Sequence, residues 1–153
     1  MRKINDFTLK WALSIFAYQC LYYDLQNSSI ITLLFPSPAN GNILIELRKI
    51  VNMSSTVLLN SQTILCSNTG NVRLKASKDY FGVFNGSKIF VFNYCQNCPP
   101  LWTMSASNIF NFDFCGPWFL YSSMGVIYQH FVNNGTFISS LQTAYPTPRF
   151  KVL

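Results

Sequence analysis

Charge is what this chain has least of. Only 10% of its 153 residues are Asp, Glu, Lys or Arg, against about 25% in an ordinary soluble domain. The acidic side is thinnest, with five carboxylates (Asp6, Asp24, Glu46, Asp79 and Asp113), no two of them close in sequence. A glycosidase pair would have to be assembled by the fold from very few candidates. Histidine occurs once, at His130. A Ser/His/Asp triad can formally join it to Asp79 or Asp113, but no Gly-x-Ser-x-Gly elbow accompanies it. Phosphate-binding glycine loops and calcium loops are absent too. No run approaches the 18 or more consecutive apolar residues of a spanning helix. These gaps disfavour catalysis and helical membrane insertion, and the sequence leads us to expect no enzyme, no cofactor and no metal site.

What is present is apolar and aromatic. Half of the residues are hydrophobic and 16% are aromatic, so a glycan coat, a partner surface or a membrane is needed to keep the surface in water. The net charge of +6 comes from scattered basic residues, whereas nucleic-acid binders cluster theirs on one face. The nearest approach to a cluster is Arg73-x-Lys75-x-x-Lys78, which reads best as a solvated strand edge. Nucleic acid is not expected as a partner.

The length fits one domain. Residues 1–23, MRKINDFTLKWALSIFAYQCLYY, run from a basic start into an apolar segment. This is the order of a signal peptide, without a clean small-residue cleavage site. The alternative is an apolar N-terminal helix with Phe7, Trp11, Ile15 and Tyr18 on one face. From residue 24 to 153 we expect a single antiparallel β-sandwich domain, galectin-like or immunoglobulin-like. Short runs rich in β-branched and aromatic residues recur with turn signals every 8 to 12 residues. They are Ser29–Phe35, Ile43–Val51, Thr56–Leu59, Thr63–Cys66, Val72–Ser77, Phe81–Phe84, Lys88–Tyr94, Ile109–Phe114, Trp118–Tyr121 and Val126–Val132. The closing RFKVL starts what reads as another strand, and a C-terminal truncation is the expectation.

Cysteine and asparagine carry the rest. If Cys20 leaves with a signal segment, Cys66, Cys95, Cys98 and Cys115 remain as an even set with three connectivities. Cys95-x-x-Cys98 can be half a zinc site, but only Cys66, Cys115 and His130 are left to complete it. A thioredoxin-like reading wants a helix after the pair, and Pro99-Pro100 follow instead. Structural disulfides are preferred, with one of Cys95 or Cys98 joined to Cys115 and Cys66 taking the other. Sequons occur at Asn27, Asn52, Asn85 and Asn134. Asn85 and Asn134 lie in Asn-Gly-Ser/Thr turns, where a glycan would be exposed. In VIYQHFV, alternation puts Ile127, Gln129 and Phe131 on one face and Val126, Tyr128, His130 and Val132 on the other, so His130 reads as a partly buried structural residue. The aromatic crowd between Tyr80 and Phe131 reads as core, with any exposed Trp or Tyr left to stack on a sugar or anchor a partner.

The segments NGSKIFVFNYCQNCPPLW, VIYQHFVNNGTF and AYPTPRF, between residues 83 and 150, resemble parts of coronavirus spike N-terminal domains. The resemblance implies a secreted, N-glycosylated, galectin-like β-sandwich that binds host sialoglycans or a protein receptor. Asn85 and Asn134 would then carry glycans, and Cys95, Cys98 and Cys115 would belong to the disulfide framework. The chain departs from the family in its weak signal segment, its short length and its lack of a fusion subunit or membrane anchor. No receptor-contact residue carries over, and the ligand-binding residues stay unknown. The expected function is thus a secreted, ER-lumenal or virion-surface glycoprotein that binds a host cell-surface glycan or protein receptor without catalysis. The alternative is an intracellular or membrane-associated accessory protein that works through protein contacts and peripheral membrane association.

Overall fold

The alternation read in the sequence becomes strand after strand in the computed structural model. It describes residues 18–24, 29–34, 41–52, 55–66 and 72–145, with side chains from residue 41 onward apart from Asn52. The strands are β1 (Tyr18–Asp24), β2 (Ser29–Leu34), β3 (Asn42–Asn52), β4 (Ser55–Leu65), β5 (Arg73–Ala76), β6 (Tyr80–Phe84), β7 (Lys88–Asn93), β8 (Trp102–Ser105), β9 (Ile109–Cys115), β10 (Trp118–Ser123), β11 (Val126–Phe131) and β12 (Phe137–Gln142). No helix occurs among the described residues.

Short connections make sequence neighbours pair antiparallel. The result is three four-stranded sheets, β1–β4, β5–β8 and β9–β12, and within each sheet every strand is bonded to the next in sequence. The β10–β11 turn shows how locally this is set. Ser123 pairs with Val126, and Met124 and Gly125 between them both take positive φ, 47° and 81°, as a two-residue hairpin of that twist requires.

The sheets stack face to face, with the second in the middle. Along β6, Phe81 and Val83 belong to an apolar cluster with Ile43, Ile45, Leu47 and Ile64 of the first sheet. Phe84 joins the opposite cluster, with Ile109, Phe112, Phe114 and Phe119 of the third sheet. Gly82 lies on that same side, where a Cβ would stand 3.0 Å from the Phe112 ring and 3.1 Å from Phe114. On β7, Phe92 turns to the first cluster, and Ile89 and Val91 to the second. A strand buried on both faces must be apolar at successive positions, and this is why FGVF carries no polar residue. The first strands draw together, with β5 close to β1 on one side and to β9 on the other. Arg73 Nη1 on β5 donates a hydrogen bond to the Phe110 carbonyl on β9.

The all-β, antiparallel, sandwich-like class is as expected. The connectivity is plainer than the Greek key of immunoglobulin-like sandwiches, since each sheet is an up-and-down meander. Thr56–Leu59 and Thr63–Cys66, expected as two runs, form the single strand β4. Its polar centre is tolerated because Gln62 Nε2 donates to Asn60 Oδ1 at 3.1 Å, and Asn60 Nδ2 donates to the Cys98 carbonyl at 2.7 Å. Residues 18–23, expected to close a signal segment or helix, lie in β1, which pairs with β2. Residues 1–17 and 146–153, with the rest of the N-terminal segment and the RFKVL run, lie outside the described residues. Arg73 and Lys75 stand exposed on β5, the edge strand of the second sheet, with Leu74 and Ala76 turned inward; Lys75 fits the expected solvated edge, whereas Arg73 bonds across to the third sheet.

Candidate interaction surface

The third sheet has one face on the core and one turned away from the other two sheets. Phe119, Tyr121, His130 and Val132 face inward and are buried. Trp118, Leu120, Ile127, Gln129 and Phe131 alternate with them, as the period of a strand demands. Cross-strand pairing sets them in rows, with Trp118 opposite Phe131, Leu120 opposite Gln129, and Ile127 opposite Ser122 and Leu141. The Trp118 and Phe131 ring centroids are 5.1 Å apart. Trp118, Leu120 and Ile127 are half-buried and belong to neither core cluster. Phe131 is 39% exposed and Leu141 65%. The face is therefore mixed: Trp118 and Phe131 make an aromatic pair at one end, Ile127 and Leu141 an aliphatic pair at the other, and Gln129 and Ser139, hydrogen-bonded at 2.9 Å, lie between them, with Asp113 and Asn111 of β9 on the same side.

The hairpin that carries Phe131 and Leu141 is held firmly. Trp102 Nε1, from the second sheet, donates to the Val132 carbonyl at 2.7 Å. Gly135, at φ +71°, lies so close to the Trp102 ring that a Cβ would fall 2.8 Å from it. His130 Nδ1 lies 2.9 Å from the Gly135 carbonyl, so that nitrogen carries the proton. Its ring packs against Tyr121, Phe119 and Phe137 at centroid distances of 5.6, 6.5 and 5.6 Å. His130 Nε2 is buried with no hydrogen-bond partner. Burial raises the Tyr121 hydroxyl above its ordinary pKa, and neighbouring Tyr128 adds to the rise. The histidine fixes the turn, as a structural residue would.

The expected disulfide pairing is corrected. Cys95 bonds to Cys98, while Cys66, buried, and Cys115, half-buried, are free thiols. Cys66 lies under β6, with its Sγ 3.3 Å from the Asn85 carbonyl, and Cys115 ends β9 on the third sheet. Neither is bonded to the loop between β7 and β8, which closes on itself. The sequons separate as well. Asn134 is exposed on the β11–β12 turn and accepts the Thr136 amide at 2.9 Å, as expected of a glycan site. Asn85, expected to be exposed, is 5% exposed. Its Nδ2, the atom a glycan would occupy, donates to the Leu65 carbonyl at 2.6 Å, and its Oδ1 accepts the Ser87 and Lys88 amides. The turn is there, but its asparagine points inward to tie the second sheet to the first. Asn52 ends β3 with its side chain outside the described residues, as Asn27 is entirely.

Sequence reading did not single out Gly135 or Leu141, and it placed Trp102 only among the aromatic crowd read as core. Trp102 follows two prolines in the short strand β8, and only the meeting of that strand with the β11–β12 turn reveals its role.

No protein-family model matches this chain, and no curated protein does. Among solved structures, it is similar to the WD40 domain of Neurospora crassa Pan2, with a TM-score of 0.53 at 9% identity, covering 83% of this chain and 38% of that one. A second similar structure is the AfRom2 CNH domain, at 10% identity and a TM-score of 0.38, covering 84% of this chain and 55% of that one. The chain thus spans well under half the length of the first of these structures. What the first likeness shows is the fold, because four-stranded antiparallel meanders stacked in succession are the blade unit of WD40 propellers.

Proposed function

We propose that this chain is a non-catalytic binding module that holds a protein partner on the outward face of its third sheet. The observation that carries the reading is the two exposed apolar pairs at the ends of that face. Phe131 and Leu141 are exposed beside Trp118 and Ile127, on a hairpin pinned by Trp102 and His130. Exposed large apolar side chains mark contact sites, here two pairs flanking the Gln129–Ser139 hydrogen bond, and aromatic anchors on a preformed surface lose little entropy on binding. A secreted or cell-surface setting, with a host protein receptor as that partner, forms the second part of the proposal. It is supported by the Cys95–Cys98 disulfide, a bond favoured outside the reducing cytosol, and by the exposed Asn134 sequon.

The test is binding of purified, fluorescently labelled protein to mammalian cells and, in parallel, to a glycan array. Phe131→Ser and Leu141→Ser together are expected to lower cell binding at least tenfold with an unchanged thermal midpoint. Binding that survives both substitutions, or that disappears when the cells are stripped of glycans, overturns the protein-partner reading.

A further inference from the structure

The loop between β7 and β8 reads Cys95-Gln-Asn-Cys-Pro-Pro100, and it closes on itself through the Cys95–Cys98 disulfide. A bridge between residues so near in sequence removes little entropy from the unfolded chain, so it is a poor staple for the fold as a whole. Its effect is local. Asn97, held at φ 55°, donates its amide to the Leu59 carbonyl at 3.0 Å. One residue on, the Cys98 carbonyl accepts from Asn60 Nδ2 at 2.7 Å. Leu59 and Asn60 are consecutive on β4, so the closed loop straps the second sheet to the first. Asn60 is only 4% exposed, and a buried amide that loses its acceptor is costly. The far side of the loop is open: Gln96, Asn97 and Pro99 are exposed and both cysteines are half-buried.

We propose that Cys95–Cys98 is a reversible thiol–disulfide site, a redox latch that a dithiol reductant opens to release the 95–100 loop from β4. A thiolate of the dithiol attacks one of the two sulfurs. The Cys95–Cys98 bond breaks, a mixed disulfide forms, and the other cysteine leaves as a thiolate that takes up a proton. The reductant's second thiolate then attacks its own sulfur in the mixed disulfide and frees the remaining cysteine, which is also protonated. Two electrons pass to the protein, which ends with two thiols, and the reductant ends as a disulfide. Without its ring the loop loses the closure that holds Asn97 at φ 55°, a left-handed conformation that asparagine tolerates as one state among several. The two hydrogen bonds to β4 lapse with it. The sheets beneath stay packed, because their cluster of Ile43, Ile45, Leu47, Phe81 and Phe92 does not include the loop.

The experiment takes the full chain, purified under oxidising conditions, through a dithiothreitol titration followed by alkylation, peptide mass mapping and amide hydrogen exchange. Cys95 and Cys98 are expected to become alkylatable together while far-UV circular dichroism is unchanged. Exchange at the Asn97 amide should rise at least tenfold, exchange along β6 should hold, and reoxidation should restore the slow rate. Cys95→Ser with Cys98→Ser should show the fast rate at Asn97 with or without reductant. Should that variant fail to fold, the reduced and reoxidised wild type decides alone. Slow exchange at Asn97 after full reduction, reduction that proceeds only as the chain unfolds, or a Cys95 and Cys98 pair alkylated before any reductant is added would each overturn the latch.

Discussion

The two interfaces of the stack are built from different materials. Between the first and second sheets the buried side chains are chiefly aliphatic, Ile43, Ile45, Leu47, Ile64 and Val83, with Phe81 and Phe92 stacked at 4.8 Å. Polar groups cross this interface with directed bonds, from Asn85 to the Leu65 carbonyl and from Asn60 to the Cys98 carbonyl. Between the second and third sheets the core is a ring cluster centred on Phe119, which is fully buried and packs against Trp102, Phe112, Phe114, Tyr121 and His130. Aliphatic packing has no directional preference, and hydrogen bonds can fix its register. Rings meet at preferred angles, so an aromatic interface fixes its own geometry. The candidate surface sits on the sheet that forms the second kind of interface.

Three tests, with their control substitutions, separate the two interfaces. The largest effect is expected at Phe119→Ala, which empties the middle of the ring cluster and should cost about 3–5 kcal/mol in urea unfolding. Loss of the outward surface together with the fold would show that one cluster supports both. A cost below about 1 kcal/mol would show that the rings do not carry the second interface. Next is Asn85→Ala, which leaves the Leu65 carbonyl and the Ser87 and Lys88 amides without their partner. About 1–3 kcal/mol is expected, with no loss of glycan mass, whereas Asn134→Gln should remove one glycan from secreted protein and leave the unfolding midpoint in place. A glycan found on Asn85 of the folded chain would refute its role as a tie. The smallest effect concerns alkali. Because the Tyr121 pKa is raised by burial, first, and by Tyr128, its neutral form is favoured in the folded state. That stability is fully present below the unfolded value of about 10 and is lost as pH rises through the higher folded value. Chemical denaturation across that window should show a fall that Tyr121→Phe reduces and Asn85→Ala does not.

Much of this was legible before the fold. The plain alternation of Arg73–Ala76 and of Val126–Phe131 named both the strands and their inward faces, and His130 read correctly as a buried residue. Other features resisted for physical reasons. The polar centre of β4 looked like a break because its compensation, the Cys98 carbonyl, lies 38 residues away. The strands β8 and β12, WTMS and FISSLQ, are short or polar and carry little pattern of their own. Asn85 and Asn134 share one local motif, yet one points into a neighbouring sheet and the other into solvent.

The chain by itself determined most of its strands, many of its turns and its antiparallel class, because period-two alternation and turn residues act over a few positions. Tertiary structure alone decided which faces meet, which cysteine finds which, and where apolar side chains are left exposed. Those outcomes depend on how whole sheets stack, and a strand's own sequence records only that it has two sides.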